Sequence, residues 1–183
     1  PGTPATKGNQ RVNDIVFLTP DVGLATTSDG KVYRTSDGAG SWLAVSDTSR
    51  QVRKFLFRDG SNGVAVGDNG LFLATTDGGV TWNAKKLAGI GQNLQDVSCA
   101  SEKVCIMATG TNQLVSTTDA GENGSLVAPS QDPLNTASFA GGTRVAALGA
   151  TGATAISDDA GATFKPVGGR LAGTYSAMIA GPA

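Results

Sequence analysis

Residues 75–82 read Thr-Thr-Asp-Gly-Gly-Val-Thr-Trp, and this stretch decides the fold because the chain repeats it. Versions of it occupy residues 35–42, 117–124 and 157–164. Its aspartates therefore recur about every forty residues, at Asp37, Asp77, Asp119 and Asp159. A fixed period of this size predicts a stacked-repeat architecture rather than one irregular domain.

The residue types of this stretch suit a tight turn. A short Asp side chain accepts hydrogen bonds from nearby backbone N–H groups. Glycine supplies a positive φ at no steric cost, so Ala39 is unexpected where Gly would be typical. An aromatic residue closes three of the four versions, as Trp42, Trp82 and Phe164, and would fill the space beside the turn. Because a catalytic centre is needed only once, we interpret the four repeated aspartates as structural.

Short apolar runs and turn signals surround each version. In the second repeat the apolar runs 52–57, 63–66 and 71–74 precede the turn, with Asp68-Asn69-Gly70 between the last two. Such runs predict strands, and Asn-Gly between them predicts a hairpin. Four strands per repeat make one propeller blade. The sequence thus predicts an all-β β-propeller, or part of one, after a flexible tail at residues 1–10. The blades would span about 11–50, 51–92, 93–132 and 133–172, with a partial fifth at 173–183.

The repeated stretch resembles the Asp-box, or bacterial neuraminidase repeat, of sialidase-like β-propellers. From Gly63 to Trp82 the chain reads Gly-x-Ala-x-Gly-x-x-Gly-x-x-x-x-Thr-x-Asp-Gly-Gly-x-Thr-Trp. This rhythm is similar to that of photosystem II assembly-factor-like proteins. The resemblance implies a seven-bladed, secreted or lumenal propeller that acts as a protein-binding scaffold without a cofactor.

Composition excludes several classes of function. The net charge is −1, without a long block of like charge, which argues against nucleic acid or an anionic membrane as the main partner. Histidine is absent, so a His-based triad, metal site or pH switch is excluded. No apolar run reaches the length of a membrane span, and we expect no membrane insertion. We expect no metal and no cofactor. The chain does not begin with Met, which indicates a processed or truncated chain.

The two cysteines, Cys99 and Cys105, are separated by five residues. This spacing would place them opposite each other across a hairpin, either bridged or as two reduced, half-buried thiols. We favour the disulfide, which would imply an oxidising compartment and hence a secreted or periplasmic protein. Two cysteines without histidine make a poor zinc site.

The candidate binding residues are those that enter the first strand of each repeat. They are polar although the rest of the strand is apolar, and their identity changes from copy to copy, as expected of a binding face on a repeat protein. The alternative is that strand ends are simply solvated. At a propeller they would ring one mouth of the central channel: Asn13, Asp14, Arg53, Lys54, Gln95, Asp96, Asn135 and Tyr175. A basic cluster of Arg50, Arg53, Lys54 and Arg58 would suit an acidic partner, or would be ordinary surface.

An enzyme is not expected. Sialidases need three arginines, a tyrosine nucleophile with its glutamate, and an acidic residue, whereas the only tyrosines here are Tyr33 and Tyr175. Nothing around Asp14 and Asp96 supports a glucanase-like pair. We therefore predict a non-enzymatic protein that binds another protein. The alternatives are a carbohydrate-binding or glycoside-hydrolase propeller with its catalytic residues outside this chain, and an extracellular structural module. A homodimer would complete a propeller ring.

Overall fold

The computed structural model describes residues 10–167, and these residues form four four-stranded antiparallel sheets of consecutive strands. The prediction of an all-β chain built from propeller blades is confirmed. The partial fifth repeat, most of the predicted tail and Tyr175 lie outside the described residues.

The strands follow the repeat. Sheet 1 contains β1 (Val12–Phe17), β2 (Gly23–Thr27), β3 (Lys31–Thr35) and β4 (Leu43–Asp47). Sheet 2 contains β5 (Val52–Phe57), β6 (Gly63–Gly67), β7 (Phe72–Thr75) and β8 (Asn83–Lys85). Sheet 3 contains β9 (Asp96–Cys99), β10 (Cys105–Ala108), β11 (Leu114–Thr117) and β12 (Ser125–Val127). Sheet 4 contains β13 (Thr136–Phe139), β14 (Val145–Leu148), β15 (Thr154–Ser157) and β16 (Lys165–Pro166).

Burial differs systematically between the strands of a sheet. Every residue of β2 and of β10 is buried, whereas β4, β8 and β12 are mostly exposed. The second strands therefore lie in the interior of their sheets, and the fourth strands, β16 included, are exposed edges.

The chain divides into two compact units, residues 1–84 and residues 85–183, which we describe separately. In the first unit, sheets 1 and 2 share a core of Leu24, Val32, Val52, Phe55, Ala65, Leu71 and Leu73. In the second unit, sheets 3 and 4 share a core of Ile106, Ala108, Leu114, Leu134, Ala137, Phe139, Val145 and Ala147. In the residues that the structure describes, no helix is long and apolar enough to cross a membrane.

Each Asp-box is a closed hydrogen-bonded turn between the third and fourth strands. In residues 75–82 the Thr75 hydroxyl donates to Asp77 (2.8 Å) and accepts the Gly79 N–H (3.0 Å). The Asp77 carboxylate also accepts the backbone N–H (2.9 Å) and hydroxyl (2.6 Å) of Thr81. The same bonds recur around Asp37, Asp119 and Asp159, with Asn123 supplying the side-chain donor in the third box.

The box backbone differs from the sequence expectation at one point. Two consecutive residues after the Asp, not one, have a positive φ in every box. Glycine fills both positions in the second box, as Gly78 and Gly79 (φ 68° and 77°), while Ala39, Ala120 and Ala160 occupy one of them in the others. The second of these positions is tight where it meets a neighbouring sheet, since a Cβ on Gly79 would lie 2.2 Å from Leu24 Cδ2. Ala39 is exposed, which explains why alanine is tolerated there.

Candidate functional site

The candidate site lies where the first strands begin, which we call the entry edge. In the first unit it brings Asn13 and Asp14 of β1 beside Arg53 and Lys54 of β5. The Asp14 carboxylate accepts the backbone N–H of Phe55 (2.8 Å) and lies 3.4 Å from the Lys54 ammonium. Four of the predicted residues are therefore neighbours in space, on two adjacent sheets.

Asn13 also connects the two sheets. Its side-chain amide donates to the Val52 carbonyl (2.8 Å), and its side-chain oxygen accepts a bond from Gln51 (3.3 Å). The buried Thr26 hydroxyl donates to the same Val52 carbonyl (3.0 Å). The polar side chain of Asn13 thus helps to hold sheet 1 to sheet 2.

The entry edge of the first unit carries an excess of positive charge. Arg53 pairs with Asp68, and Arg50 donates to the backbone carbonyl of Asn69 (3.1 Å). Arg11 donates to Asn13 (3.4 Å), and the Lys54 side chain keeps 45% of its surface exposed. Lys54 and Arg53 thus pair with Asp14 and Asp68, and Arg11 and Arg50 lie at the same edge, bonded to neutral groups. The register of sheet 1 adds Lys31, Asp29 and Asp47 to this edge, so the excess amounts to about one positive charge among these residues.

The predicted basic cluster is wrong in one member. Arg58 follows the end of β5 at Phe57, whereas Arg53 is the second residue of that strand. Five residues of extended chain separate the two by about 16 Å. The residue spacing in the sequence did not reveal this, because the strand carries the two cations to opposite ends of the sheet.

In the second unit the entry edge contains Gln95, Asp96 and Asn135. The Thr136 hydroxyl at the start of β13 donates to the Asp96 carboxylate (2.6 Å), which again joins adjacent sheets. The backbone N–H groups of Gln95 and Asn135 donate to Ala108 (2.7 Å) and Leu148 (3.0 Å), respectively. Asp14 and Asp96 thus have matching roles in their own units. The eighth predicted residue, Tyr175, falls beyond the part of the chain that the structure describes.

The repeated aspartates are poor candidates for acid–base chemistry. Hydrogen bonds from Ser41, Thr81, Asn123 and Thr163 are the main cause that lowers the pKa of Asp37, Asp77, Asp119 and Asp159 to about 2. A general acid near neutral pH needs the opposite shift. Within residues 10–167 no group of three or more His, Cys, Asp or Glu side chains could hold a metal ion.

Cys99 and Cys105 are bonded to each other. They lie directly opposite in the register of β9 and β10, and their S–S distance is 2.06 Å. The hairpin placement expected from their spacing is what brings them together.

Solved structures with this fold include several propellers. A structure described as YCF48 bound to D1 peptide has a TM-score of 0.53 at 15% identity, covering 90% of this chain and 88% of that one. YCF48 from Cyanidioschyzon merolae has a TM-score of 0.64 at 17% identity, covering 87% of this chain and 57% of that one. An ancestral GH74 enzyme has a TM-score of 0.66 at 14% identity, covering 88% of this chain and 24% of that one.

At these identities the structural likenesses establish the fold alone. This chain spans little more than half of the Cyanidioschyzon protein and about a quarter of the GH74 enzyme. A comparison with curated proteins finds no match. The sequence model of one family, described as photosynthesis system II assembly factor YCF48, matches residues 47–172, more than half of the chain. This protein therefore belongs to the YCF48 family of Asp-box propellers.

Proposed function

We propose that this protein is a non-enzymatic binding protein, that its partner is another protein, and that the partner binds at the entry edge. The observation that carries the proposal is the small excess of cations at the entry edge of the first unit, where Lys54 and Arg53 pair with Asp14 and Asp68 and Arg11 and Arg50 bind neutral groups. A similar solved structure described as YCF48 bound to D1 peptide supports a peptide segment as the ligand.

The charges at this edge favour an acidic segment. Asp14 gives one oxygen to the Phe55 N–H and the other to Lys54, so it is engaged within the protein. Lys54 has a half-exposed side chain with donors to spare, because an ammonium carries three. Carboxylates of a bound peptide would meet net positive charge here, which steers association and fixes register.

A fluorescence anisotropy titration tests the proposal. The probes are a labelled acidic peptide of about ten residues and the same peptide with every Asp and Glu replaced by Asn and Gln. We expect the acidic peptide to bind and its affinity to fall with added salt. Lys54→Gln and Arg53→Gln should each weaken binding about threefold to tenfold, the effect of a partly exposed charge pair worth ~1 kcal/mol.

The matched control is Arg144→Gln. Arg144 is an exposed cation that lies 3.7 Å from Asp158 in sheet 4, at the opposite end of its sheet from the entry edge. Its replacement should leave the affinity unchanged. Equal binding of the acidic and neutral peptides, or equal losses for all three variants, would refute an acidic partner at this edge.

We propose that the chain has no glycosidase activity of its own. The box aspartates are held ionised by their turns, and Asp14 and Asp96 each bond to the neighbouring sheet. A panel of glucans and sialosides incubated with the protein should release no sugar. Hydrolysis that disappears in Asp14→Asn or Asp96→Asn would contradict this and favour the carbohydrate-directed alternative.

We propose an extracytoplasmic location for the chain, supported by the Cys99–Cys105 disulfide, since such bonds persist in oxidising compartments. Thiols trapped by rapid alkylation in the producing cells should leave both cysteines unmodified. Alkylation of both before any reductant is added would place the protein in a reducing compartment instead.

We also propose that a second copy of this chain covers the face of sheet 1 that carries Ile15 and Phe17. These two side chains, which alternate with Val16 along β1, are 52% and 46% exposed. Phe55, the residue of sheet 2 that corresponds to Ile15, is only 5% exposed because sheet 1 packs over it. Within this chain, sheet 1 thus covers the equivalent face of sheet 2, and we expect a similar sheet to cover the face of sheet 1. Light scattering should give twice the chain mass, and Ile15→Asp should halve it, whereas a monomer at high concentration would refute the proposal.

A further inference from the structure

The two sheets of the first unit share a packing arrangement of three residues beside the box. In sheet 1 the ring of Phe17 packs edge-on to Trp42, with centroids 6.4 Å apart. The same ring lies over Gly23, directly opposite it on β2, where an added Cβ would come within 2.9 Å of the ring. Sheet 2 repeats the arrangement with Phe57, Gly63 and Trp82. We call this set of Phe, Gly and Trp the aromatic plug.

Sheet 3 has a different residue at each of the three positions. Cys99 stands in the place of the Phe and Cys105, opposite it in the register, stands in the place of the Gly. Gly124 takes the place of the Trp at the end of the box. A disulfide and a glycine therefore replace two aromatic rings, which leaves room beside the third box.

A segment of the chain fills that room. Residues 87–90 run alongside the third box, where the N–H groups of Leu87 and Ala88 donate to the carbonyls of Gly121 (2.9 Å) and Glu122 (3.1 Å). Leu87 is fully buried, and a Cβ on Gly124 would lie only 2.4 Å from Ile90 Cγ1. We call residues 87–90 the strap, since it occupies the space of the missing Trp.

The disulfide is connected to the third box through a loop and a backbone hydrogen bond. It closes the hairpin loop 100–104, in which the Ala100 N–H donates to the Val104 carbonyl (2.9 Å). The Lys103 carbonyl of this loop accepts the N–H of Ala120, the residue after the box Asp (3.0 Å). The third box is thus held on one side by the disulfide-closed loop and on the other by the strap.

We propose that a dithiol can reduce the Cys99–Cys105 disulfide in the folded protein. Its cleavage opens the hydrogen bonds of the third box and of the strap, while the other boxes stay closed. The thiolate of the dithiol attacks Cys99 Sγ, which belongs to the partly exposed cysteine, and the S–S bond breaks. Cys105 Sγ leaves with the electron pair and takes a proton. The second thiol of the reagent then displaces Cys99, so that two protein thiols and one cyclic disulfide result.

After reduction, the loop 100–104 is no longer closed by a covalent bond, and sheet 3 has no ring at the positions of Cys99 and Gly124 to take its place as in sheets 1 and 2. The Lys103 carbonyl then holds the Ala120 N–H less firmly, and the third box can separate from the strap. Leu87 also has a positive φ of 42°, which is unfavourable for a residue with a branched side chain. The strap is therefore the element expected to open first, with the box amides that depend on it.

Hydrogen exchange measured by mass spectrometry on the 183-residue chain, oxidised and after dithiothreitol, tests the proposal. Alkylation of both cysteines reports the extent of reduction. We expect exchange in residues 85–92 and 117–126 to rise about tenfold or more on reduction, because these amides would open locally. Peptides with the second and fourth boxes, residues 75–82 and 157–164, should not change.

Two variants keep the test decisive. Cys99→Ser with Cys105→Ser should exchange like the reduced protein, with or without dithiothreitol. Cys99→Phe with Cys105→Gly rebuilds the Phe and Gly of the aromatic plug and should stay protected in dithiothreitol. Failure of dithiothreitol to reduce the folded protein, unchanged exchange on reduction, or a rise spread over all four boxes would each overturn the proposal.

Discussion

At the scale of single residues, the second residue after the box Asp has a positive φ in every box. The space around it differs from box to box, because a neighbouring sheet lies against it in some boxes and not in others. We expect Gly79→Ala to lower the free energy of unfolding by about 2–4 kcal/mol, since the new Cβ adds left-handed strain and overpacks against Leu24. Urea unfolding of the purified protein measures the change. A loss below about 1 kcal/mol would mean that the box can move away from Leu24 without cost.

The matched control is the same position in the first box. Ala39 has a φ of 74° and is exposed, so Ala39→Gly removes left-handed strain and changes no packing. The gain should be small, about 0.5 kcal/mol, because glycine also loses more chain entropy on folding. A loss of stability in this variant would show that the Ala39 side chain makes a contact that its exposure does not suggest.

The sequence predicted the Asp and its turn, since their bonds are local and their residue types are restrictive. It did not predict that two consecutive residues take a positive φ. Three boxes have alanine at one of the two positions, and alanine ordinarily prefers a negative φ. The sequence therefore does not indicate a positive φ there, because the surrounding bonds override that preference. Ala39 was recognised as unusual only because glycine is typical at that position of the box.

At the scale of strands and sheets, Asp14 joins β1 to β5. We expect Asp14→Ala to lower the free energy of unfolding by about 1–3 kcal/mol, since the half-buried Phe55 N–H bond to a charged acceptor is lost. Asp47→Ala is the comparison, because that exposed carboxylate bonds to Ser49 in its own turn and should change stability by less than about 0.5 kcal/mol. Equal effects of the two variants in thermal unfolding would contradict a role for Asp14 between sheets.

The position of the candidate site was predictable, and the bonds within it were not. A polar residue that enters an otherwise apolar strand marks the strand end in any one repeat. The repeat aligns Asp14 with Lys54, however, and so does not reveal that they face each other from adjacent sheets. The exchange of the aromatic plug for the disulfide left a clear sequence signal, because the repeat that lacks the aromatic is also the repeat with both cysteines.

At the scale of the whole molecule, stability should depend on pH only in acid. The pKa of Asp37, Asp59, Asp77, Asp119 and Asp159 is lowered to about 2, mainly by bonds from neighbouring side chains and backbone N–H groups. Because the folded pKa lies below the ordinary 3.8, these groups stabilise the fold above pH 4. Their contribution should decline as the pH falls from about 4 to 2.

Urea unfolding between pH 2 and pH 8 measures this dependence. We expect a plateau from pH 5 to pH 8, since the chain has no histidine to titrate there, and a steady fall below pH 4. Asp77→Asn should reduce the size of the acid loss. A stability that is the same at pH 2.5 and pH 6 would mean that the box bonds form equally well with protonated carboxyl groups.

The packing of a ring over the glycine opposite it restricts which residue can replace that glycine without a rearrangement. A cysteine opposite Phe17 would put its Cβ 2.9 Å from the present position of the ring, so the ring would have to move. Such a pair can nevertheless exist, since Phe139 of sheet 4 lies opposite Val145. A side chain placed at Gly23 alone should therefore displace the Phe17 ring from its contact with Trp42 rather than prevent the sheet from forming.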